Sequence, residues 1–393
     1  MELKTIGSLD VKGKKTLVRV DFNVPLDDEG KVADDSRIKA TLPTIKHLLE
    51  GDARVILMSH LGRPKGKVVE KLRLDDVARR LGELLGKEVK KADDCIGPEV
   101  SRAAEGLKEG DVLLLENLRF HLEEEKNDPG FAKGLASLAE VYINDAFGTA
   151  HRAHASTVGV ADYLPAYAGL LMEKEIKSLR SILFEPDHPF AAVLGGAKVA
   201  DKIGVLNNLL NKVDAILLGG GMSNTFLKAK GLELGDSLVD EDHLEFAKKF
   251  LIMAKERGVR VELPQDLVIT LTGNNEQVKV EESANVPRGW SALDIGPRTA
   301  DNYSQLIKKA KTAFWNGPMG VFEKEQFAHG SEMVARALSD PGVVSVVGGG
   351  DSLAVLKKYG LADQITHAST GGGASLEFLE GKELPGVAVL MKK

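Results

Sequence analysis

The stretch VVSVVGGGDSLAVLKKYGLADQITHASTGGGASLEF, residues 343–378, decides how the rest of the chain is read. Val343, Val344, Val346 and Val347 are β-branched and uncharged, which suits a strand buried on both faces of a sheet. Gly348, Gly349 and Gly350 follow at once, and Asp351-Ser352 opens a segment with Leu353, Val355, Leu356 and Leu361 at near-helical spacing. A strand that ends in glycines and feeds a helix makes an anion site, because unpaired N–H groups and the helix dipole point outward together. Thr370 and Gly371-Gly372-Gly373, ahead of ASLEFLE, repeat the device. One glycine triplet is more often a tight turn than a ligand site. Two of them, each opening a helix and one carrying an acid suited to Mg²⁺, point to a polyphosphate.

Outward from this stretch, short apolar runs alternate with helical patterns. TLVRV (16–20), RVILM (54–58), VLLLE (112–116), FAAVL (190–194), AILLG (215–219) and TAFWN (312–316) read, like VVSVV (343–347), as buried strands. LDDVARRLGELL (74–85) and DKIGVLNNLLNKV (201–213) read as amphipathic helices; in the second, Ile203, Leu206, Leu209, Leu210 and Val213 form one stripe. That alternation predicts parallel α/β architecture. Ligands of such sheets bind beyond the carboxyl ends of the strands, so the segments after each strand should carry the chemistry.

In the first half those segments are basic and polar. Arg19 lies in the first run and Asp21-Phe22-Asn23-Val24-Pro25 closes it. Arg37 follows a polar loop, and Ser59-His60-Leu61-Gly62-Arg63-Pro64-Lys65 follows RVILM. Asn117-Leu118-Arg119-Phe120-His121 follows VLLLE, and YINDAFGTA leads into His151-Arg152-Ala153-His154. Taken singly, such residues are ordinary surface. Their joint placement at one sheet edge favours a pocket for a small, multiply charged anion, since arginine forks recognise phosphate and carboxylate. The histidine pattern does not suggest zinc: there is no HExxH, and only His151 and His154 lie close in sequence.

The second half is glycine loops after strands: Gly195-Gly196-Ala197-Lys198, Gly219-Gly220-Gly221, Leu293-Asp294-Ile295-Gly296-Pro297, Asn316-Gly317-Pro318-Met319-Gly320 and the two triplets. Glycine lets the backbone approach a nucleotide with no side chain intervening. Lys198 and Lys202 stand four apart at a helix start, so both can meet phosphate. Neither GxxxxGK[ST] nor GxGxxG occurs, so a nucleotide is implied through another arrangement. Between the halves, MEKEIKSLRSIL (172–183) reads as a helix, and Phe184-Glu185-Pro186-Asp187-His188-Pro189 breaks it at a domain boundary.

Composition sets the remaining bounds. With 393 residues, two domains are expected. No apolar run approaches a membrane span, and Glu2 and Lys4 have no apolar core behind them, so neither a membrane helix nor a secretory signal is expected. Cys95 is the only cysteine, which leaves no intrachain disulfide and fits a reducing cytoplasm. The net charge of −6 argues against a general nucleic-acid binder.

The motifs VDFNVP, SHLGRPKG, LLLENLRF, EEKND, NDAFGTAHRAHAS, GGAKVADKIGV, LDIGP, WNGPMGVFE, VVGGGDS and STGGGASLEFLEGKELPG span residues 20–386 in this order. The combination closely resembles the phosphoglycerate kinases, in their bacterial form. The resemblance implies reversible phosphoryl transfer between 1,3-bisphosphoglycerate and MgADP, giving 3-phosphoglycerate and MgATP. It also implies two similar-sized Rossmann-like domains with parallel sheets: 1–171 with about 381–393 for the acid, 190–380 for the nucleotide, and a hinge over about 172–189. A cytoplasmic monomer is expected.

Motif by motif, the resemblance places Asp21, Phe22 and Asn23 on the glycerate. It sets Arg37, His60, Leu61, Gly62, Arg63, Arg119 and Arg152 around the acid and its phosphate. Lys198 and Lys202 fall on the nucleotide phosphates, with Lys202 following the transferring group. Asp351 falls on Mg²⁺ and Glu323 on the ribose. Gly219, Gly220, Gly296, Pro318 and Val321 are assigned to the adenosine pocket, and Asn316, Gly349, Gly350 and Ser352 also to nucleotide binding. Two positions depart from the usual pattern: Ser352 replaces a threonine and keeps its hydroxyl, and Asn224 stands where an aromatic is common.

Phosphoryl transfer needs positioning and charge neutralisation more than covalent chemistry. Arg37 and Lys202, with the N–H groups of Gly371, Gly372 and Gly373, are expected around the transferring group, and no phosphoenzyme is required. Two other readings compete. A phosphate-ester binding module has no use for the lysines and the acid of the second half. A Rossmann dehydrogenase lacks its fingerprint here.

Overall fold

The structure is a computed structural model that describes residues 2–392. The chain forms two compact units: one runs to Lys177 and resumes at Glu383, and the other is Ser178–Lys382.

The first unit is built on a parallel sheet of β1 (Lys15–Arg19), β2 (Arg54–Met58), β3 (Lys90–Lys91), β4 (Val112–Leu114), β5 (Val141–Asn144) and β6 (Ala166–Ala168), in the order β3-β4-β2-β1-β5-β6. Its central strands are apolar on both faces because helices cover both. On one side Ile38, Ile45 and Leu48 of the helix Ser36–Glu50 and Val77, Ala78 and Leu81 of the helix Asp75–Leu85 pack with Val18, Val55, Leu57, Val112 and Ile143. The helix Asp75–Leu85 has clear end signals. Asp75 and Asp76 occupy its first turn, and Gly86, at φ 67°, lets the chain turn left-handed so that its N–H reaches Gly82 O. The chain end returns to this unit: Lys4 N–H donates to Leu390 O (2.9 Å), Gly386 N–H to Ala150 O (2.8 Å), and Leu3 bridges Met391.

In the second unit β7 (Phe190–Leu194), β8 (Ala215–Leu218), β9 (Arg260–Glu262), β13 (Thr312–Asn316), β14 (Val344–Gly348) and β15 (His367–Ala368) pair in parallel in the order β15-β14-β13-β7-β8-β9. Its core gathers Val193, Leu217, Trp315 and Val347 with Tyr303 and Leu338. The polar ends of two of its largest side chains are satisfied: Tyr303 O–H donates to Leu218 O (2.7 Å) and Trp315 Nε1–H to Gly317 O (2.7 Å). A separate antiparallel sheet of β10 (Asp266–Leu271), β11 (Asn274–Glu282) and β12 (Trp290–Ile295) packs on its own small cluster of Leu227, Leu234, Leu267, Ile269 and Val286.

The α/β class and all seven apolar runs stand as strands. The antiparallel sheet was not expected. Two local readings are corrected. Val344 is 41% exposed, so the strand after Gly342 is not buried on both faces at its first residue. The helix expected over 201–213 is regular only as Ile203–Leu209 after a 3₁₀ turn at Ala200–Lys202, although Leu210 and Val213 stay buried.

Both six-stranded sheets reverse direction beside their first strand, between β1 and β5 and between β7 and β13. At such switch points the connections lead to opposite faces and leave a crevice beyond the strand ends. In the second unit the crevice depends on backbone proximity. Gly195 N–H donates to Asn316 O (3.0 Å) and Gly196 N–H to Pro318 O (3.0 Å). A Cβ on Gly195 would stand 2.7 Å from Gly317 O and closer still to Pro318 O. Gly195→Ala should therefore destabilise the protein by about 1–3 kcal/mol. Gly350→Ala, with open space around it, should stay within about 0.5 kcal/mol. Urea unfolding of the two variants checks this; equal midpoints would remove the steric argument.

Candidate active site

The crevice of the first unit is lined with positive charge. Arg37, in the first turn of its helix, pairs with Asp21 just past β1. Asn23 Oδ1 accepts from Gly62 N–H (2.8 Å), and Arg119 Nη1 donates to Gly62 O (2.8 Å), so the loops after β1, β2 and β4 share one clamp. Asn117 completes it. Its Oδ1 accepts from Leu61 and Arg119 N–H (both 3.1 Å), and its Nδ2 donates to Leu61 O (2.7 Å) and Leu72 O (2.9 Å). Phe22 N–H donates to Ser59 Oγ (2.9 Å).

His60 lies at the centre and is buried. Burial pushes its pKa well below the ordinary range, and the charges of Arg19, Arg119, Arg37 and Arg152 push it the same way. Arg19 Nη2 lies 3.1 Å from His60 Nδ1. A guanidinium has no acceptor, so Nδ1 must accept and the ring proton sits on Nε2. His60 thus remains neutral and offers an N–H to an anion. Arg19 is held in turn by Ser156 Oγ (2.8 Å), which donates to the fully buried Glu124 (2.6 Å). Arg152 Nε meets His151 Nε2 (3.1 Å), and Arg63 is exposed on the turn after Gly62, with no ion pair among the described residues.

In the second unit a pocket of about 300 Å³ brings together Lys198, Lys202, Asn316, Asp351 and Ser352 with the backbone of Gly349 and Gly350. Lys202 is buried; desolvation lowers its pKa while Asp201 and Asp351 oppose the shift. Asn316 is 2% exposed, and its side-chain Nδ2 has no partner. A buried donor without an acceptor costs free energy unless a ligand supplies one. Asp351 is exposed in the first turn of the helix Gly350–Lys358 and makes no ion pair among the described residues. Gly349, at φ 92°, sets the entry to that helix.

Not every expected residue has the expected neighbours. The buried Ser352 hydroxyl accepts from Gly317 N–H (2.7 Å) and so braces the turn after β13. Gly371 N–H donates to Ser369 Oγ (3.2 Å) and is already engaged, while Gly372 precedes and Gly373 opens the helix that supplies Leu376 to the pocket. A second pocket of about 290 Å³ is lined by Gly220, Pro318, Val321 and Glu323, with Asn224 and Asp294 beside them. Gly219 and Gly296 are not on its wall: Gly219 backs onto Met319 and Gly296 onto Asp266. The two pockets share Gly196, Ala197, Pro318 and Asp351. Glu124 and Ser156 received no site role from the sequence, and Arg19 and Asn117 only a place among the polar segments at the strand ends; of the four, Arg19 alone carries a local signal, as a charge within an apolar run.

An arginine-rich anion site on one α/β unit and a glycine-lined lysine pocket on another define a phosphotransferase. A sequence model of the family described as phosphoglycerate kinase matches residues 6–382. The chain is 60% identical over 390 residues, 99% of each protein, to the phosphoglycerate kinase of Moorella thermoacetica. The solved phosphoglycerate kinase of Coxiella burnetii matches with a TM-score of 0.91 at 42% identity over 99% of each chain. That of Pyrococcus horikoshii matches with 0.85 at 37% identity over 99% of this chain and 98% of the other. The chain belongs to the phosphoglycerate kinase family and catalyses the phosphoryl transfer of glycolysis that defines it.

The Arg19–His60 bond has a spectroscopic signature. Nitrogen NMR should find His60 as the Nε2–H tautomer, titrating well below the ordinary histidine pKa of about 6.5. In Arg19→Met its titration should move towards that ordinary value. A His60 that titrates normally in the wild type would exclude the assigned tautomer.

Proposed function

We propose that the first-unit crevice binds 3-phosphoglycerate and 1,3-bisphosphoglycerate, and that the second-unit pockets bind ATP and ADP. The observation that carries the reading is the phosphate-sized pocket in which two lysines, an orphaned Asn316 donor and an unpaired Asp351 meet. A dehydrogenase reading has no need of that set.

On the acid side, Asp21, Asn23 and the neutral His60 orient the glycerate, with Phe22, Leu61 and Gly62 forming the wall. Arg63, Arg119 and Arg152 balance its charge. On the nucleotide side, Gly220, Pro318 and Val321 cover the base, Glu323 holds the ribose, and Gly219 and Gly296 let the walls pack from behind. Lys198 and Asn316 hold phosphate oxygens. Asp351 has the exposed, unpaired carboxylate that Mg²⁺ accepts, and the ion shields phosphate charge when bound with the nucleotide. Lys202 follows the phosphoryl group, and Arg37 with the Gly372 and Gly373 N–H groups completes the positive surround. The phosphoryl group passes directly in line, without a covalent enzyme intermediate. With one ligand on each unit, transfer requires closure about a hinge within 172–189. The enzyme acts as a monomer in the cytoplasm, without nucleic acid; no helix among the described residues is long and apolar enough to cross a membrane.

Lys202→Ala should lower kcat by roughly a hundredfold or more, about 3 kcal/mol, in an assay consuming 3-phosphoglycerate and MgATP. A change in KM for ATP alone would restrict Lys202 to ground-state binding. Arg37→Lys keeps the charge but loses the fork, so kcat should fall there too; full activity would show that one point charge suffices. Solution X-ray scattering checks closure. The radius of gyration should be smaller with 3-phosphoglycerate and a non-transferable MgATP analogue together than with either alone, and an unchanged value would remove the hinge.

A further inference from the structure

We propose that Asp94, Cys95 and His121 form a site for a thiophilic divalent cation of the zinc class. The site lies in the first unit and uses none of the side chains assigned to substrate or nucleotide. The ligand atoms of the three residues all lie within 4.8 Å of one another. Metal–ligand bonds of about 2.0–2.3 Å put the donors of a tetrahedral ion roughly 3.4–3.8 Å apart, so the three donors stand within about an ångström of the separations one ion needs.

The backbone that carries these donors is held independently of any ion. Glu116 N–H donates to Asp94 O (3.3 Å), and the Cys95 thiol donates to Glu116 O (3.0 Å), which continues the pairing of β3 with β4 beyond the strand ends. His121 N–H donates to Leu118 O (3.2 Å), and its ring packs on Phe131 with centroids 4.9 Å apart. His121 Nε2 already sits 2.6 Å from Asp94 Oδ1. Of the three, Cys95 is buried, His121 half-buried and Asp94 exposed. A backbone held in this way places the three ligands before an ion arrives, and the Cys95–Glu116 bond is given up when the thiol ionises.

The donor chemistry chooses among cations. Mg²⁺ and Ca²⁺ take oxygen ligands, whereas one thiolate, one imidazole and one carboxylate suit Zn²⁺ and leave a fourth position for water. In the ion-free chain, burial pushes the thiol pKa well up, and the charges of Asp94, Glu124 and Glu116 reinforce it. Binding therefore breaks the Cys95 S–H bond as the S–metal bond forms, and the proton leaves to solvent. Affinity should rise with pH. The alternative is a surface His–Asp pair over an inert buried thiol.

Cobalt(II) separates the two. Titrated into the full-length protein without phosphate ligands, it should give one equivalent of a thiolate-to-cobalt charge-transfer band, bleached by Zn²⁺. Cys95→Ser should abolish the band, and His121→Gln and Asp94→Asn should each weaken binding by about tenfold or more. Because Cys95 is buried, circular dichroism should accompany its variant; the two outer variants carry the test if it fails to fold. No band at saturating cobalt, or a band unchanged in both outer variants, overturns the site. The coupled kinase assay on His121→Gln is read separately, so failure here does not touch the assigned reaction.

Discussion

A guanidinium with 1% of its surface exposed has to be solvated by protein, and the first unit is arranged around that requirement at Arg19. The side chain leaves the end of β1 and spends its donors on Ser156, on Val20 O and on His60. Glu124, entirely buried, closes the circuit through Ser156 Oγ and N–H (2.6 and 3.0 Å). Burial raises the Glu124 pKa, and Arg19 acts against that shift, so each charge makes the other tolerable. Such a pair adds little net stability, but losing one partner leaves a buried charge alone, at about 3–5 kcal/mol. What it contributes is position. It ties the segment after β1, the loop after β2, the turn after Phe120 and the 151–157 loop into one body.

The second unit reaches the same end by the opposite means. Where the first fills its crevice with charged side chains, the second builds most of its own from backbone. Gly195, Gly196 and Gly317 let the loops after β7 and β13 bond to one another through backbone alone. Ser352 then pins Gly317 from the neighbouring helix. The wall that results is stiff and presents N–H and C=O groups at close range. The few side chains that project from it, Lys198, Lys202, Asn316 and Asp351, stand out as the chemistry.

The sheets were legible because a strand buried on both faces must be written as an unbroken apolar run, and RVILM or FAAVL has few other readings. The glycine loops were legible because their position directly after such runs has a physical meaning. The antiparallel sheet was not, because its strand β11, reached through Gly273, carries Val278 and Val280 half exposed among charges; β10 has an apolar run, LVITL, but nothing in the sequence marks its partner. The two-residue strand Lys90–Lys91 is defined by its partner β4 rather than by its own sequence. Arg19 read as one charge in an otherwise apolar strand, and its network draws on Glu124 and Ser156 far along the chain. Asp94-Cys95 and His121 meet for the same reason: β3 and β4 are neighbours in the sheet, and only the pairing shows it. Pairwise convergence of that kind has no signature in a single sequence.

The return of the chain end to the first unit has a consequence in time rather than in space. Ser178–Lys382 is one uninterrupted segment, so its fold is fully specified once that segment has left the ribosome. The first unit is made earlier but completed later. Its edge beside Leu3 and Lys4, and the carbonyl of Ala150, wait for Leu390, Met391 and Gly386. During synthesis the first unit therefore lacks its last segment until the whole of Ser178–Lys382 has been made. The order of translation and the order of completion are reversed.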